Sequence, residues 1–419
     1  MKKFLFLFAA LAILLSACKS DEPAPAFNKD VTTSLTRSKT EAIELALSHM
    51  QNRSGSRNVY SVHDIQVVKD YDSRSSSDTL IYAINFTDER GFALISAARS
   101  GEAILGYADE GQIDVKNIEP NSGFQFYMDA ATNYVKLNMS KDSIYYIEPI
   151  DTTFNRIPNP YIPVTTYETI KPRVTLKWGQ NYPEGIYCPN KTSGCTQTAM
   201  ALMMTAIKQP QTIEYTYPEK DKDSETLDWA LISKHDKSTY SGFAESHLSN
   251  CPASEETHKT IGRICRELGK RNNAYYNKTS TSASILDARN TFTELLPPGY
   301  SVSTVTQFAR TSNTDIFNKL KTDGIVAYFR GDDTTNPDNE RGHAWVLCGG
   351  ERITTTEKSS VIGGGPDIVT IKIYFFFNWG QMGSYNGYFP AGVFDQQKST
   401  TPSRSNFDTN VSFFWVYKN

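Results

Sequence analysis

Cys195 opens the run Cys195-Thr196-Gln197-Thr198-Ala199-Met200-Ala201-Leu202-Met203 and follows Ser193-Gly194. A glycine ahead of strong helix formers places this sulfur in the first turn of an apolar, buried helix. Free amides and the positive dipole end favour a thiolate there. A cysteine on an apolar helix is by itself an ordinary small core residue, so chemistry requires a partner. A thiolate nucleophile needs a group that takes its proton and returns it to the leaving amine. The chain has six histidines. His49 and His63 fall in the N-terminal part, and His235, His247 and His258 lie in polar surroundings and read as surface residues. His343 opens the glycine-bounded run Gly342-His343-Ala344-Trp345-Val346-Leu347-Cys348-Gly349-Gly350, an alternating strand with His343, Trp345 and Leu347 on one face.

The separation carries more weight than either residue. His343 follows Cys195 by 148 positions, within the roughly 130–150 expected between cysteine and histidine in papain-like cysteine proteases. Trp178-Gly179-Gln180 lies 15 residues before Cys195, where a glutamine amide can donate to an oxyanion. Asn378-Trp379-Gly380 ends the strand after the histidine strand, where a group orienting the imidazole belongs.

These segments resemble the streptopain-like cysteine peptidases, family C10. The matching pieces are Leu176–Gln180, Gly194-Cys195 through Met200, Gly342–Val346, Asn378–Gly380 and Asn386–Phe389, in that order. The resemblance implies a papain-like α+β peptidase domain with Cys195 as nucleophile and His343 as general base and acid. It also implies Gln180 and the Cys195 amide as oxyanion donors, and Asn378 and Trp379 as groups that orient and shield His343. Ser280–Ala283 resembles the segment that walls the substrate pocket, which makes Ser282, with Gly342, a substrate-binding candidate. No metal or organic cofactor is implied. Tyr82–Phe86, Gly91–Ser96 and Ile104–Tyr107 are similar to the family's pro-domain, which acts as an intramolecular inhibitor. Two features depart from the family pattern: Gln381-Met382-Gly383-Ser384 replaces a second Trp with glycines, and Cys348 stands where Asp is expected.

The elements that must position these residues can be read along the chain. Met1–Ala17 has a basic start and an apolar core too short for a comfortable span, a secretory signal. Leu15-Ser16-Ala17-Cys18 resembles a bacterial lipobox, which implies lipidation at Cys18, a tether through residue 26 and an outer-membrane surface location. Residues 27–150 form a first module. Its features are a capping box at Ser38-Lys39-Thr40-Glu41, a helix over Ala42–Met50, strands at Leu80–Phe86, Phe92–Ala97 and Ala103–Tyr107, and a helix over Phe124–Leu137. Residues 151–172 are proline-punctuated and read as an exposed linker open to processing.

Residues 173–419 form the larger domain. Helices are expected over Cys195–Ile207, Glu255–Leu268, Ser284–Glu294 and Thr314–Lys321. Strands follow at Ile325–Phe329, His343–Cys348, Ile368–Phe377, Gly387–Phe389 and Val411–Val416, and the order argues for α+β. Gly363-Gly364-Gly365 reads as a hairpin tip.

Composition narrows the function classes. Lys plus Arg number 43 against 46 Asp plus Glu, so no basic excess exists to neutralise nucleic-acid phosphates. Cys188, Cys195, Cys251, Cys265 and Cys348 show no C-x-x-C spacing, which argues against structural zinc. The expected partners are protein or peptide substrates, the chain's own pro-domain, and a membrane through Cys18. Cutting the linker is expected to free the catalytic domain from its anchor. The alternative is a catalytically impaired surface protein that serves as a binding, adhesion or inhibitor module.

Overall fold

The computed structural model describes residues 35–54, 59–70, 78–139, 163–236, 254–278, 280–322, 326–333, 341–358, 366–394 and 409–419. The leader, Cys18, the tether, Cys251, His247, residues 140–162 and Gly363–Gly365 lie outside them. In chain order the elements begin with helix α1 (Lys39–Ser54), strands β1 (Val62–Lys69), β2 (Thr79–Phe86), β3 (Phe92–Ser96) and β4 (Ile104–Ala108), helix α2 (Gly123–Met139) and strand β5 (Val164–Ile170). Helix α3 (Cys195–Ile207) follows, then the small hairpin β6 (Thr212–Glu214) and β7 (Ser224–Thr226), α4 (Trp229–Ile232), α5 (Glu255–Arg271), β8 (Tyr275–Tyr276), β9 (Thr281–Ser282) and α6 (Ile285–Leu295). The chain continues with β10 (Tyr300–Val302), β11 (Thr306–Gln307), α7 (Asn313–Thr322), β12 (Val326–Asp333), β13 (Arg341–Glu357), β14 (Ile368–Asn378), β15 (Gly387–Pro390) and β16 (Thr409–Lys418). The fold is α+β.

Helix α1 begins with the expected capping box: Ser38 N–H donates to Glu41 Oε2 at 2.7 Å, and Glu41 N–H donates to Ser38 Oγ at 3.3 Å. Strand β2 is apolar on both faces because both are covered. Tyr82, Ile84 and Phe86 pack with Ala42, Ala46 and Met50 of α1, while Ile81 and Ala83 join the core built on Phe124, Tyr127 and Ala131 of α2.

The module and the larger domain share one antiparallel sheet, ordered β1-β2-β3-β4-β15-β14-β13-β12-β16-β10, with β11 on β16 and β5 on β13. The join is Tyr107 of β4 opposite Tyr388 of β15. Glycines permit it: a Cβ on Gly106 would stand 2.5 Å from the Phe389 ring, and one on Gly387 would stand 2.5 Å from the Tyr107 carbonyl. Two expectations are corrected here. Residues 164–170, read as linker, are a strand, because the β-branched run Val164-Thr165-Thr166 pairs with Thr354–Thr356. Strand β13 continues well past Cys348, since a register shift between Leu347 and Gly349 carries the chain on to Glu357.

Sheet alternation separates two cores. Trp345 and Leu347 pack on the α2 side, whereas Ala344, Val346 and Cys348 pack against Met200, Met203 and Met204 of α3 and Ile261 and Ile264 of α5.

A buried charged clasp lies at the join. Arg53 in the last turn of α1 donates through Nε to both Glu351 carboxylate oxygens (2.8 and 3.0 Å) and through Nη1 to Asp109 (2.7 Å), and its guanidinium lies 4.2 Å over the Tyr107 ring. Tyr107 Oη and Thr169 Oγ1 also donate to the Glu351 carboxylate. One turn earlier, His49 is buried with its ring 4.5 Å from Tyr107 and 5.9 Å from Tyr374. Burial, helped by the charges of Arg53 and Lys372, pushes His49 down to about 3.

The folded chain therefore binds fewer protons at His49 than the unfolded chain between that value and the ordinary histidine value of 6.5. This contribution to stability is complete above 6.5 and falls by about 1.4 kcal/mol per pH unit below it. Denaturant titrations at pH 7 and pH 5 are expected to show a smaller loss of stability in His49→Leu than in the parent. An equal loss in both would exclude His49 as a source of the pH dependence.

Candidate active site

Gly194 caps α3 at φ 89°, and Cys195 is the first helical residue, as the sequence leads one to expect. A Cβ on Gly194 would stand 2.8 Å from Thr281 Cβ, so the start of α3 packs closely on β9 and leaves no room for a side chain at 194. Burial pushes the Cys195 thiol up, but the His343 charge and side-chain hydrogen bonding oppose it. The Arg330 charge and the Ala344 amide act in the same sense as His343, and the thiol ends at about 7 against an ordinary 9.0. The buried thiols behave differently: burial raises Cys188 to about 11 and Cys348 to about 12. Cys188, Cys195 and Cys348 are free thiols.

His343 is 4% exposed. Its Nε2–H donates to the Trp379 carbonyl at 3.3 Å, a tautomer that leaves Nδ1 as the ring's acceptor. Trp379 is itself fixed: its amide donates to Asn386 Oδ1 and its indole Nε1–H to the Tyr385 carbonyl, each at 3.0 Å. The Asn378 side chain does not take the imidazole. Its Nδ2 donates to the Val174 and Leu176 carbonyls at 3.4 and 3.0 Å, and its Oδ1 accepts from Gly380 N–H at 3.1 Å. Asn378 thus ties the chain leading to Trp178 against the turn that carries Trp379.

Gln180 is half-buried, and its carbonyl accepts from Ser193 N–H at 2.8 Å and Ser193 Oγ at 3.1 Å. Ser282 is exposed at the end of β9, whose neighbour Thr281 donates to the Thr192 carbonyl at 2.9 Å. Gly342 faces the Arg330–Asp332 pair, and a Cβ there would stand 2.4 Å from Asp332 Oδ1.

The sequence reading missed three contributors. Arg330 on β12 is paired in register with Ala344, so it lies on the sheet face that α3 covers. It donates to Asp332 Oδ1 at 2.8 Å and to the Ala283 carbonyl at 2.6 Å. A charged residue directly after the apolar run Val326–Phe329 was the available signal. Gly123, the first residue of α2, is the second: a Cβ there would stand 2.4 Å from His343 Cδ2 and 2.9 Å from the Trp379 ring. The module also reaches the loop that departs from the family pattern, where Gln381 Nε2 donates to Glu119 at 3.0 Å. The third is a buried polar cluster. His235 and His258 are 0% and 1% exposed and stack edge-on at 5.0 Å, correcting their reading as surface residues. Burial, with the neighbouring His235, pushes His258 down to about 4. Among the described residues no His, Cys, Asp and Glu group is arranged to hold a metal ion.

Residues 177–389 match the Peptidase C10 family, and residues 33–135 match the Spi protease inhibitor family. The chain belongs to the Peptidase C10 family. It is therefore a cysteine-peptidase chain carrying an inhibitor-type module ahead of its peptidase domain. Among solved structures, prointerpain A of Prevotella intermedia, a fragment with one cysteine changed to alanine, is similar over 85% of this chain and 100% of that one, at 16% identity and a TM-score of 0.52. Active wild-type interpain A cysteine protease of the same organism covers 59% of this chain and 94% of its own, at 17% identity and a TM-score of 0.38. The first likeness shows a shared fold. No curated protein matches this chain.

Alkylation of Cys195 in the intact chain by a small haloacetamide, followed by peptide mass spectrometry, is expected to rise with pH through a midpoint near 7. His343→Ala should move the midpoint up toward the ordinary thiol value of 9.0. An unchanged midpoint would separate the imidazole from the thiol's acidity.

Proposed function

We propose that this chain is the zymogen of an exported, lipid-anchored cysteine endopeptidase. The observation that carries the reading is the Cys195 thiol at the start of α3, with its acidity set by His343, whose other ring nitrogen is held by the Trp379 carbonyl. The Cys195 thiolate attacks the scissile carbonyl. The resulting oxyanion is held by the Gln180 side-chain amide and the Cys195 N–H. Protonated His343 gives its proton to the leaving amine, which leaves an acyl-enzyme. Neutral His343 then takes a proton from water as the hydroxyl oxygen attacks the thioester, and returns it to sulfur. Trp379 fixes the tautomer, Asn378 fixes the turn behind it, and Ser282 and Gly342 border the substrate.

The N-terminal module serves as the intramolecular inhibitor. Its α2 N-terminus lies against His343 and Trp379, and Phe124 and Phe126 continue the aromatic core around Trp379 and Trp345. A peptide substrate crossing the histidine would compete for that space. Activation then requires more than a cut within residues 151–172, because the shared sheet and the Arg53–Glu351 clasp hold the severed pieces together. Release of the peptidase from a membrane anchored through Cys18 follows only when the module itself is degraded or dissociates.

Labelling fractionated cells with a peptidyl-epoxide probe tests these assignments together. Full-length protein is expected in the membrane fraction and unlabelled, with a shorter labelled form in the soluble fraction. Cys195→Ala should abolish labelling and lower kcat/KM on peptide substrates by at least about 10³-fold, and Cys18→Ser should remove the full-length form from membranes. Labelling that persists in Cys195→Ala would overturn the assignment of the nucleophile.

A further inference from the structure

The segment that carries Gln180 is held by a buried carboxylate outside the catalytic pair. Glu184 is 0% exposed, and its Oε1 accepts from Gly179 N–H at 3.1 Å and lies 3.6 Å from His235 Nε2. His235 is equally buried, and its carbonyl accepts from the Trp178 indole N–H at 2.6 Å. The same three-residue segment is gripped from α3, where Thr198 Oγ1 donates to the Gly179 carbonyl at 3.1 Å. It is gripped again by Met382, whose N–H donates to the Trp178 carbonyl at 2.7 Å, and by Ser193 on the Gln180 carbonyl at 2.8 Å.

Each of these other donors ties a carbonyl of the segment. The Gly179 N–H, on the Trp178–Gly179 peptide, is held by Glu184. A carboxyl oxygen that accepts from a buried amide satisfies that donor where water does not reach, and withdrawing it would strand the amide. A fully buried carboxylate is expensive unless it is hydrogen-bonded; the Gly179 amide supplies such a bond, and the His235 ring stands 3.6 Å from the same oxygen.

We propose that Glu184, beside His235, is a positioning residue for the reaction: with Met382 on the opposite edge it fixes the Trp178–Gly179 peptide plane, one residue ahead of Gln180, and so helps aim the Gln180 side-chain amide at the developing oxyanion. This rests on the reading of Gln180 as the oxyanion donor. Glu184 acts only through the backbone of Trp178–Gln180.

The test uses the full chain after processing, a fluorogenic peptide amide, and haloacetamide alkylation of Cys195. Glu184→Ala is expected to lower kcat by about 10- to 100-fold, somewhat less than the ~10²–10³-fold cost of removing an oxyanion donor outright. KM and the alkylation pH midpoint should stay put, because the Cys195–His343 pair is untouched. In a Gln180→Ala background the Glu184→Ala change should cost no more than about twofold, since the group it aims is gone.

Glu184→Gln keeps an acceptor for Gly179 N–H and should retain most of kcat. Glu184→Asp withdraws the acceptor and should not, a contrast that decides the matter even if the alanine variant does not accumulate. Unchanged kcat in Glu184→Ala or Glu184→Asp, or fully multiplicative losses in the double variant, would overturn the proposal. If Gln180→Ala itself leaves kcat unchanged, the oxyanion assignment fails, and the aiming role proposed for Glu184 fails with it.

Discussion

The lack of a side chain at Gly123 sets how closely the N-terminal module approaches the histidine. Without a Cβ, the first turn of α2 settles onto the His343 ring and the Trp379 indole, where any other residue would stand 2.4 Å from a ring carbon. That approach in turn lets Phe124, Phe126 and Tyr127 enter the aromatic core around Trp345, Trp379, Phe389 and Phe394. A module held this way is an extension of the peptidase's own interior. The continuous sheet through Tyr107 and Tyr388 and the Arg53–Glu351 pair repeat the same relation on the opposite face.

In the proposed zymogen, Trp379 links the orientation of His343 to the position of the module. Its carbonyl orders the imidazole, while its ring forms part of the surface on which α2 lies. Loss of the module would uncover one side of the indole without breaking the bonds from Trp379 to Asn386 and Tyr385. Under the proposed reading, activation of this kind would expose a site that is already assembled.

Much of this was legible locally. The capping box at Ser38–Glu41 and the span Cys195–Ile207 were readable because caps and helix formers act within a few residues. The alternation from His343 was readable because a strand's two faces repeat every second residue. Long-range decisions were hidden. Val62–Lys69 lacks clean alternation and becomes a strand by pairing with β2. Val164–Ile170 sits among prolines and becomes one by pairing with the unexpectedly long β13. His235 and His258 sit among polar neighbours in sequence, yet fold inward to meet Glu184 and Tyr182. The roles of Gly123 and Arg330 depend on what lies opposite them in the fold, which a single sequence read without its pairings does not reveal.

The central claim is that the module silences a preassembled Cys195–His343 pair by lying on the histidine. Replacing Gly123 with valine in the uncut chain, and timing Cys195 modification by a peptidyl epoxide, tests it most directly. Uncut Gly123→Val protein should react at a rate approaching that of the processed parent, since the added carbons force α2 off the imidazole. A variant as unreactive as the uncut parent would contradict the account.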